Sequence, residues 1–299
     1  MLRKIVAPLL AALIWGTAFV AQSVGAERVP PFAFNTARSL AAVATLAVIL
    51  LISTKWQRRS PQKPPKYSKK ALLLGGLCCG TAMAVATGLQ QIGLSESDAG
   101  KASFSTALYI VLVPLLGLFF GRKATFLTTV SVVIAVVGMY LLCVGEGLRI
   151  QGSDVYIMLC SLCFAVQILC IDHFAPKTNS IALSLAQFSV MAVESAFASL
   201  LREKPVLSDI WASMGPILYL GIFSSGIAYT LQIVAQKGSD PTLVALLLSL
   251  ESVFGALAGA LLLHETMTGR EYLGCVLMLA AVMLSQLPAN LFWKKSALH

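Results

Sequence analysis

The 299-residue sequence predicts an all-α membrane protein with ten transmembrane helices in two inverted five-helix repeats. Three observations predict it. Hydrophobic residues make up 58% of the chain and charged residues 12%, and the mean hydropathy is +0.83, a composition outside that of a domain folded in water. The apolar residues fall in ten stretches of the length that crosses a bilayer, for which about 20 residues are needed. The second half also repeats the register of the first after an odd number of crossings, which inverts it across the membrane.

The spans read, in order, Ile5 to Ser23, Phe32 to Thr54, Ala71 to Leu94, Ala102 to Phe120, Thr125 to Val144, Val155 to Phe174, Ile181 to Leu201, Ser213 to Ala235, Thr242 to Leu263 and Tyr272 to Leu287. Met1-Leu2-Arg3-Lys4 before the first span has the look of a signal peptide. Cleavage is not expected, because removing the first span would break the pairing of the halves. Trp56, Trp211 and Trp293 stand at span ends, where amphipathic rings sit at headgroup level, whereas Trp15 lies mid-span. Pro114 and Pro241 are expected to kink or begin their helices. Gly76 with Gly80, Gly117 with Gly121, and Gly255 with Gly259 give small-residue faces for close helix packing.

The net charge of +9 reports orientation rather than a nucleic-acid partner. With the N-terminus inside, the inner segments hold Arg3, Lys4, seven basic residues between Lys55 and Lys70, and Arg122, Lys123, Lys177, Lys237, Lys294 and Lys295. The outer segments hold Arg28, Lys101, Arg149, Arg202, Lys204 and Arg270. The positive-inside rule then sets both termini in the cytoplasm, and the expected location is a bacterial inner membrane. The Lys55 to Lys70 loop, with three prolines and no acid, reads as a solvated linker that meets anionic headgroups. The seven cysteines all fall within spans, and an odd count without loop cysteines argues against a disulfide framework. Cys160-Ser-Leu-Cys163 has redox spacing, yet small packing residues are the expected reading.

Setting Gln90 over Gln232 carries the register through the next helix, so that Tyr109 falls on Glu251 and Gly117 on Gly259. The repeats are taken as residues 1–148 and 149–299. The residues that carry this pattern are Ile14-Trp15-Gly16-Thr17, Asn35-Thr-Ala-Arg38-Ser, the run from Ala102 through Tyr109 to Pro114, and Leu248-Ser-Leu-Glu251-Ser-Val-Phe-Gly255 followed by His264-Glu265. With these, the chain resembles the drug/metabolite transporter superfamily in its EamA-type branch of ten-helix carriers. It departs from that pattern at Ser252, where many relatives place a proline, and at Arg122-Lys123, where a glycine-glutamate pair is common. The resemblance implies a secondary transporter of small metabolites with its substrate cavity between the two halves. Repeat-built carriers in general bind near the midplane at the repeat interface.

Polar residues inside spans are costly and mark candidate sites. Arg38 lies about two turns into the second span, where a charge costs roughly 2.5–3.5 kcal/mol. It is either an anion anchor, its guanidinium fork matched to a carboxylate, or a structural residue bonded to backbone carbonyls. Glu251, with Gly255 one turn on, has room beside it for an amine, a coupling proton or another helix. Low dielectric favours a neutral carboxyl, so a proton-coupling role is open to it, and to a lesser extent to Glu194. Gln90, Tyr109, Gln167, Tyr229 and Gln232 complete the expected substrate-binding set, with Gln91 and Gln236 beside them. Tyr229, Gln232 and Gln236 recur at helical spacing and form one stripe. Trp15 is either core or a wall that stacks on the solute, cation–π contact included. Interhelical hydrogen bonding is the open alternative for the neutral residues.

The expected function is movement of a small polar or amphipathic metabolite (an amino acid, its derivative or a small amine), with export favoured. The two five-helix halves would rock around the central site. One intramembrane arginine argues against nucleotide sugars and phosphates. Multidrug efflux is the alternative, and a channel or scaffold a weaker one. No enzyme is expected, because His173, His264 and His299 stand at helix ends or the terminus, and no cofactor or metal site is read. The expected partners are a solute and the lipid bilayer, the chain being a monomer or weak dimer.

Overall fold

The computed structural model describes residues 2–59, 67–94, 99–121, 125–143, 152–262 and 267–287. Residues 60–66 of the loop between Lys55 and Lys70, and Arg122, Lys123, Arg149, His264, Glu265, Trp293, Lys294 and Lys295, lie outside them, together with the expectations they carried. The described residues are mostly helical, and no strand is present among them. The helices are α1 (Leu2–Ala26), α2 (Pro31–Arg59), α3 (Lys69–Leu94), α4 (Ala99–Ala107), α5 (Tyr109–Phe119), α6 (Phe126–Cys143), α7 (Gly152–Phe174) and α8 (Ser180–Arg202). After them come α9 (Leu207–Ala212), α10 (Met214–Tyr219), a π-helical segment (Leu220–Ala228), α11 (Tyr229–Gln236), α12 (Pro241–Leu248), α13 (Glu251–Leu262) and α14 (Gly269–Ser285).

Eight helical stretches among the described residues are long and apolar enough to cross a membrane, and Phe126–Leu142, fifth in chain order, is a shorter apolar helix. Local chemistry marks several starts. Asn179 caps α8 by accepting from the amides of Ile181 and Ala182 at 3.0 and 3.1 Å. Asp240 caps α12, where Pro241 opens the helix, and Thr268 with Glu271 forms a capping box on α14. The outward faces of α2, α3 and α8 expose Leu51, Ile52, Leu73, Leu200 and Leu201, the pattern of helices solvated by lipid. Trp56 and Trp211 are exposed.

Three spans are interrupted. The fourth breaks at Leu108, between α4 and α5, several residues before the proline at 114. The ninth breaks at Ser249 and Leu250, and Leu250 is the residue that the Gln90-over-Gln232 register sets on Leu108. The eighth passes through the π segment, where the amide of Tyr229 reaches back to Ser224 O. Gly221 permits a close approach there, since a Cβ on it would meet Ala41 Cβ at 2.4 Å and Arg38 O at 2.8 Å.

The packing partners do not follow chain order. α1 lies against the π segment, α11 and α13, and α2 lies against the π segment. α3 lies against α7 and α8, and α4 and α5 lie against α7. The result is two interleaved bundles. One is α1, α2, the α10–α11 stretch and α12–α13; the other is α3, α4–α5, α7 and α8. They meet along α2 and α8, and where α4 and α5 approach α13 and α12. α6 and α14 pair at the side, Gly138 against Gly274, where a Cβ on either would come within 2.8 Å of the other's carbonyl oxygen. The buried core includes Phe34, Met83, Ile110, Phe188 and Met191, and the six described cysteine side chains are free thiols.

Candidate solute cavity

A cavity of about 40 Å³ lies where the two bundles meet. All eight residues expected to bind substrate line it: Trp15 from α1, Arg38 from α2, Gln90 from α3, Tyr109 from α5, Gln167 from α7, Tyr229 and Gln232 from α11, and Glu251 from α13. Both charged residues are buried, Arg38 at 3% and Glu251 at 4% exposure, so neither is screened by bulk water. Buried ions need specific partners to offset their desolvation. Arg38 Nη1 donates to Gln22 Oε1 at 2.8 Å, and its Nε has no partner among the described residues. The Tyr109 hydroxyl donates to Glu251 Oε1 at 3.2 Å. Arg38 and Glu251 are therefore each met by a neutral group, and each keeps hydrogen-bonding capacity.

The helix breaks help to place these groups. Tyr109 and Glu251 are the first residues of α5 and α13, so both follow an interruption at corresponding places in the two halves. Ser103 and Ser252 share a second hydrogen bond between the same two spans at 3.0 Å. Ser252 is thus a bonding residue at the position where the resemblance sets a proline.

An aromatic wall closes one side. The Trp15 and Tyr229 ring centroids are 4.6 Å apart with planes tilted by 57°, and Phe188 meets Tyr229 edge-on at 5.4 Å. Trp15 Nε1 donates to Ser224 O in the π segment at 3.4 Å. The amide residues pair with one another or with hydroxyls: Gln232 Nε2 donates to Gln167 Oε1 at 3.3 Å, and Gln90 Nε2 to Thr106 Oγ1 at 3.2 Å. Gln167 Nε2 and Gln232 Oε1 remain without partners among the described residues.

Other candidates lie elsewhere. Gln91 and Gln236 are buried but bridge helices, Gln91 Nε2 to Gln22 O at 3.3 Å and Gln236 Nε2 to Ile168 O at 2.8 Å. Glu194 is away from the cavity and half-buried on α8, where its carboxylate accepts from Thr81 Oγ1 at 2.6 Å. Gln22, Thr106 and Ser224 line the cavity and were not singled out from the sequence. Helical spacing does point to Gln22, because Trp15, Phe19 and Gln22 recur on one face of α1. Among the described residues no three His, Cys, Asp or Glu side chains come together as metal ligands.

Apolar helices of membrane length around a buried polar cavity define a multi-pass membrane protein. The EamA-like transporter family matches the chain twice, over residues 2–144 and 151–287, and the protein belongs to that family. It is 28% identical to an uncharacterized transporter of Archaeoglobus fulgidus over 280 residues, which span 93% of this chain and 84% of that one. It is 22% identical to the uncharacterized transporter YoaV of Bacillus subtilis, over 91% and 93% of the two chains. One solved crystal structure superposes with a TM-score of 0.76 over 96% of this chain and 97% of the other at 19% identity, a likeness of fold.

Proposed function

We propose that the protein is a secondary transporter that exports a small polar or amphipathic metabolite (an amino acid, an amino-acid derivative or a small amine) by alternating access around the central cavity. It crosses a bacterial cytoplasmic membrane ten times as two inverted repeats, 1–148 and 149–299, with both termini inside. The observation that carries this reading is the cavity itself: a buried guanidinium and a buried carboxyl, Arg38 and Glu251, each on a neutral partner, with the aromatic pair Trp15 and Tyr229 alongside. Arg38 supplies the anion anchor. Glu251 receives an amine or carries a coupling proton, and it is better sited for this than Glu194 because it lines the cavity.

The size of the cavity supports a moving wall. At about 10–15 Å³ per water, 40 Å³ is room for about three waters. Loading a solute larger than a few waters is then accommodated by separation of the lining helices. The interleaved packing favours the two bundles, rather than the two sequence halves, as the bodies that separate. The purified protein in liposomes should show saturable flux with counterflow of labelled substrate. Linear, non-saturating flux would show a channel and overturn the proposal.

A further inference from the structure

The two bundles are tied together by polar contacts on both sides of the cavity. Toward the face where α1 begins, Gln236 bonds to Ile168 O, and Lys237 Nζ donates to Thr178 O at 3.1 Å. Toward the opposite face, Gln91 bonds to Gln22 O and Ser103 to Ser252, both deep in the protein. The outermost tie on that face differs in kind. Glu203, just past the end of α8, turns its carboxylate onto the start of α2, where Oε1 accepts from the Phe32 amide at 2.9 Å and Oε2 from the Ala33 amide at 2.8 Å.

The first amides of a helix have no partners within it, and the helix dipole adds partial positive charge there. A carboxylate that accepts two of them forms charge-assisted bonds, stronger than neutral ones. This cap comes from the other bundle, 170 residues away in sequence, so it does more than finish α2. It joins the bundles at one end of the α2–α8 seam. From the clasped amides, Ala33 and Phe34 run directly into a buried apolar cluster with Ala18 and Leu220, and Ala18 also lines the cavity. Glu203 itself is half-buried, so water competes for its carboxylate and the tie can break.

We infer that Glu203 is the clasp that holds this mouth of the carrier shut, and that its release from the α2 amides accompanies opening of the cavity to that face. The inference rests on the alternating-access reading. Glu203→Gln keeps the size of the side chain but loses its charge and one of the two acceptors, and Glu203→Ala loses both. The opening should therefore grow in the order wild type, Glu203→Gln, Glu203→Ala.

The test introduces Ala18→Cys into the full chain, with the seven native cysteines replaced, and adds a membrane-impermeant maleimide from the clasp face of proteoliposomes. Labelling should be slow with Glu203 in place and faster by about tenfold or more in the Glu203→Ala variant, as loss of bonds to a charged acceptor implies, with the Glu203→Gln variant between. Equal rates in all three would overturn the clasp. Hydrogen exchange on chains with native cysteines gives a second reading that does not depend on the introduced thiol. Loss of a mere helix cap would speed exchange in the first turn of α2 alone, and that result would also overturn the clasp. Faster exchange extending into α1 around Ala18 and into the π segment is expected instead. Counterflow on the same samples keeps the two readings apart, because saturable counterflow with equal labelling refutes the clasp alone, and its absence in wild type refutes the carrier.

Discussion

Gly16 stands where α1 crosses α13, and replacing it with alanine tests whether this crossing holds the cavity in shape. A Cβ there would lie 2.7 Å from Glu251 O, 2.7 Å from Gly255 N and 2.8 Å from Phe254 Cβ. Two of those three are backbone atoms of a helix and cannot rotate aside. Regaining ordinary contact at about 3.5 Å requires α1 and α13 to part by somewhat under ~1 Å. Overpacking of this kind costs about 1–3 kcal/mol, while alanine in place of glycine in a helix returns about 0.5–1 kcal/mol. The expected net loss for Gly16→Ala is about 1–2 kcal/mol, read as a fall in thermal midpoint of a few degrees at roughly 2–4 °C per kcal/mol. Gly255 is the internal control. A Cβ on it meets Gly16 O at 3.4 Å and Gly16 Cα at 3.7 Å, which is ordinary contact, so Gly255→Ala should leave the midpoint unchanged or raised. Thermal unfolding of the detergent-solubilised protein measures both. Equal losses from the two substitutions, or a greater loss from Gly255→Ala, would refute the reasoning.

Other outcomes follow from the site. Arg38→Lys keeps the charge but loses the planar fork, so substrate-induced thermal stabilisation should fall about tenfold or more in affinity, and Arg38→Ala should abolish it. Unchanged stabilisation by both would remove Arg38 from the site. Tyr109→Phe removes one bond to the Glu251 carboxylate, a contact of the class worth about 1.5–3 kcal/mol, and transport should drop by at least about tenfold while expression holds. Glu251→Gln should flatten the pH dependence of transport if the carboxyl carries a proton, and Glu194→Gln should leave that dependence intact. Asn179→Ala takes the cap from α8 and should cost about 1 kcal/mol in unfolding experiments with little change in substrate affinity.

The cavity residues were legible because a charged or amide side chain stands out in an apolar span, where its cost demands an explanation. Gln22 and Thr106 were less so. Gln22 sits beside the expected end of its span at Ser23, where a polar residue is unremarkable, and threonine is common in membrane helices for packing alone. Glu194 shows the converse: hydropathy registers its depth but not its direction, and α8 turns it toward Thr81 rather than the cavity. The breaks at Leu108 and at Ser249 and Leu250 carry helix-like dihedrals at Leu108 and Ser249 and no glycine or proline at the break, so no sequence signal marked them. The π segment left a faint trace in Gly221, Ser224, Ser225 and Gly226. The partition into bundles was hidden for a deeper reason: the repeat relates helices of similar sequence, whereas packing joins α1 to α11 and α13, and α3 to α7 and α8.

The interleaving has a consequence for how the molecule is made. A ribosome delivers α1 and α2 first, yet the surfaces that cover them belong to α8, the π segment, α11 and α13, which emerge more than a hundred residues later. Neither of the two stretches that match the family, 2–144 and 151–287, contains a finished wall of the cavity. α1 and α2, Arg38 among their residues, are thus made before the helices that cover them. Co-expressed fragments 1–148 and 149–299 should therefore regain substrate binding only together, each repeat completing the bundle that the other begins.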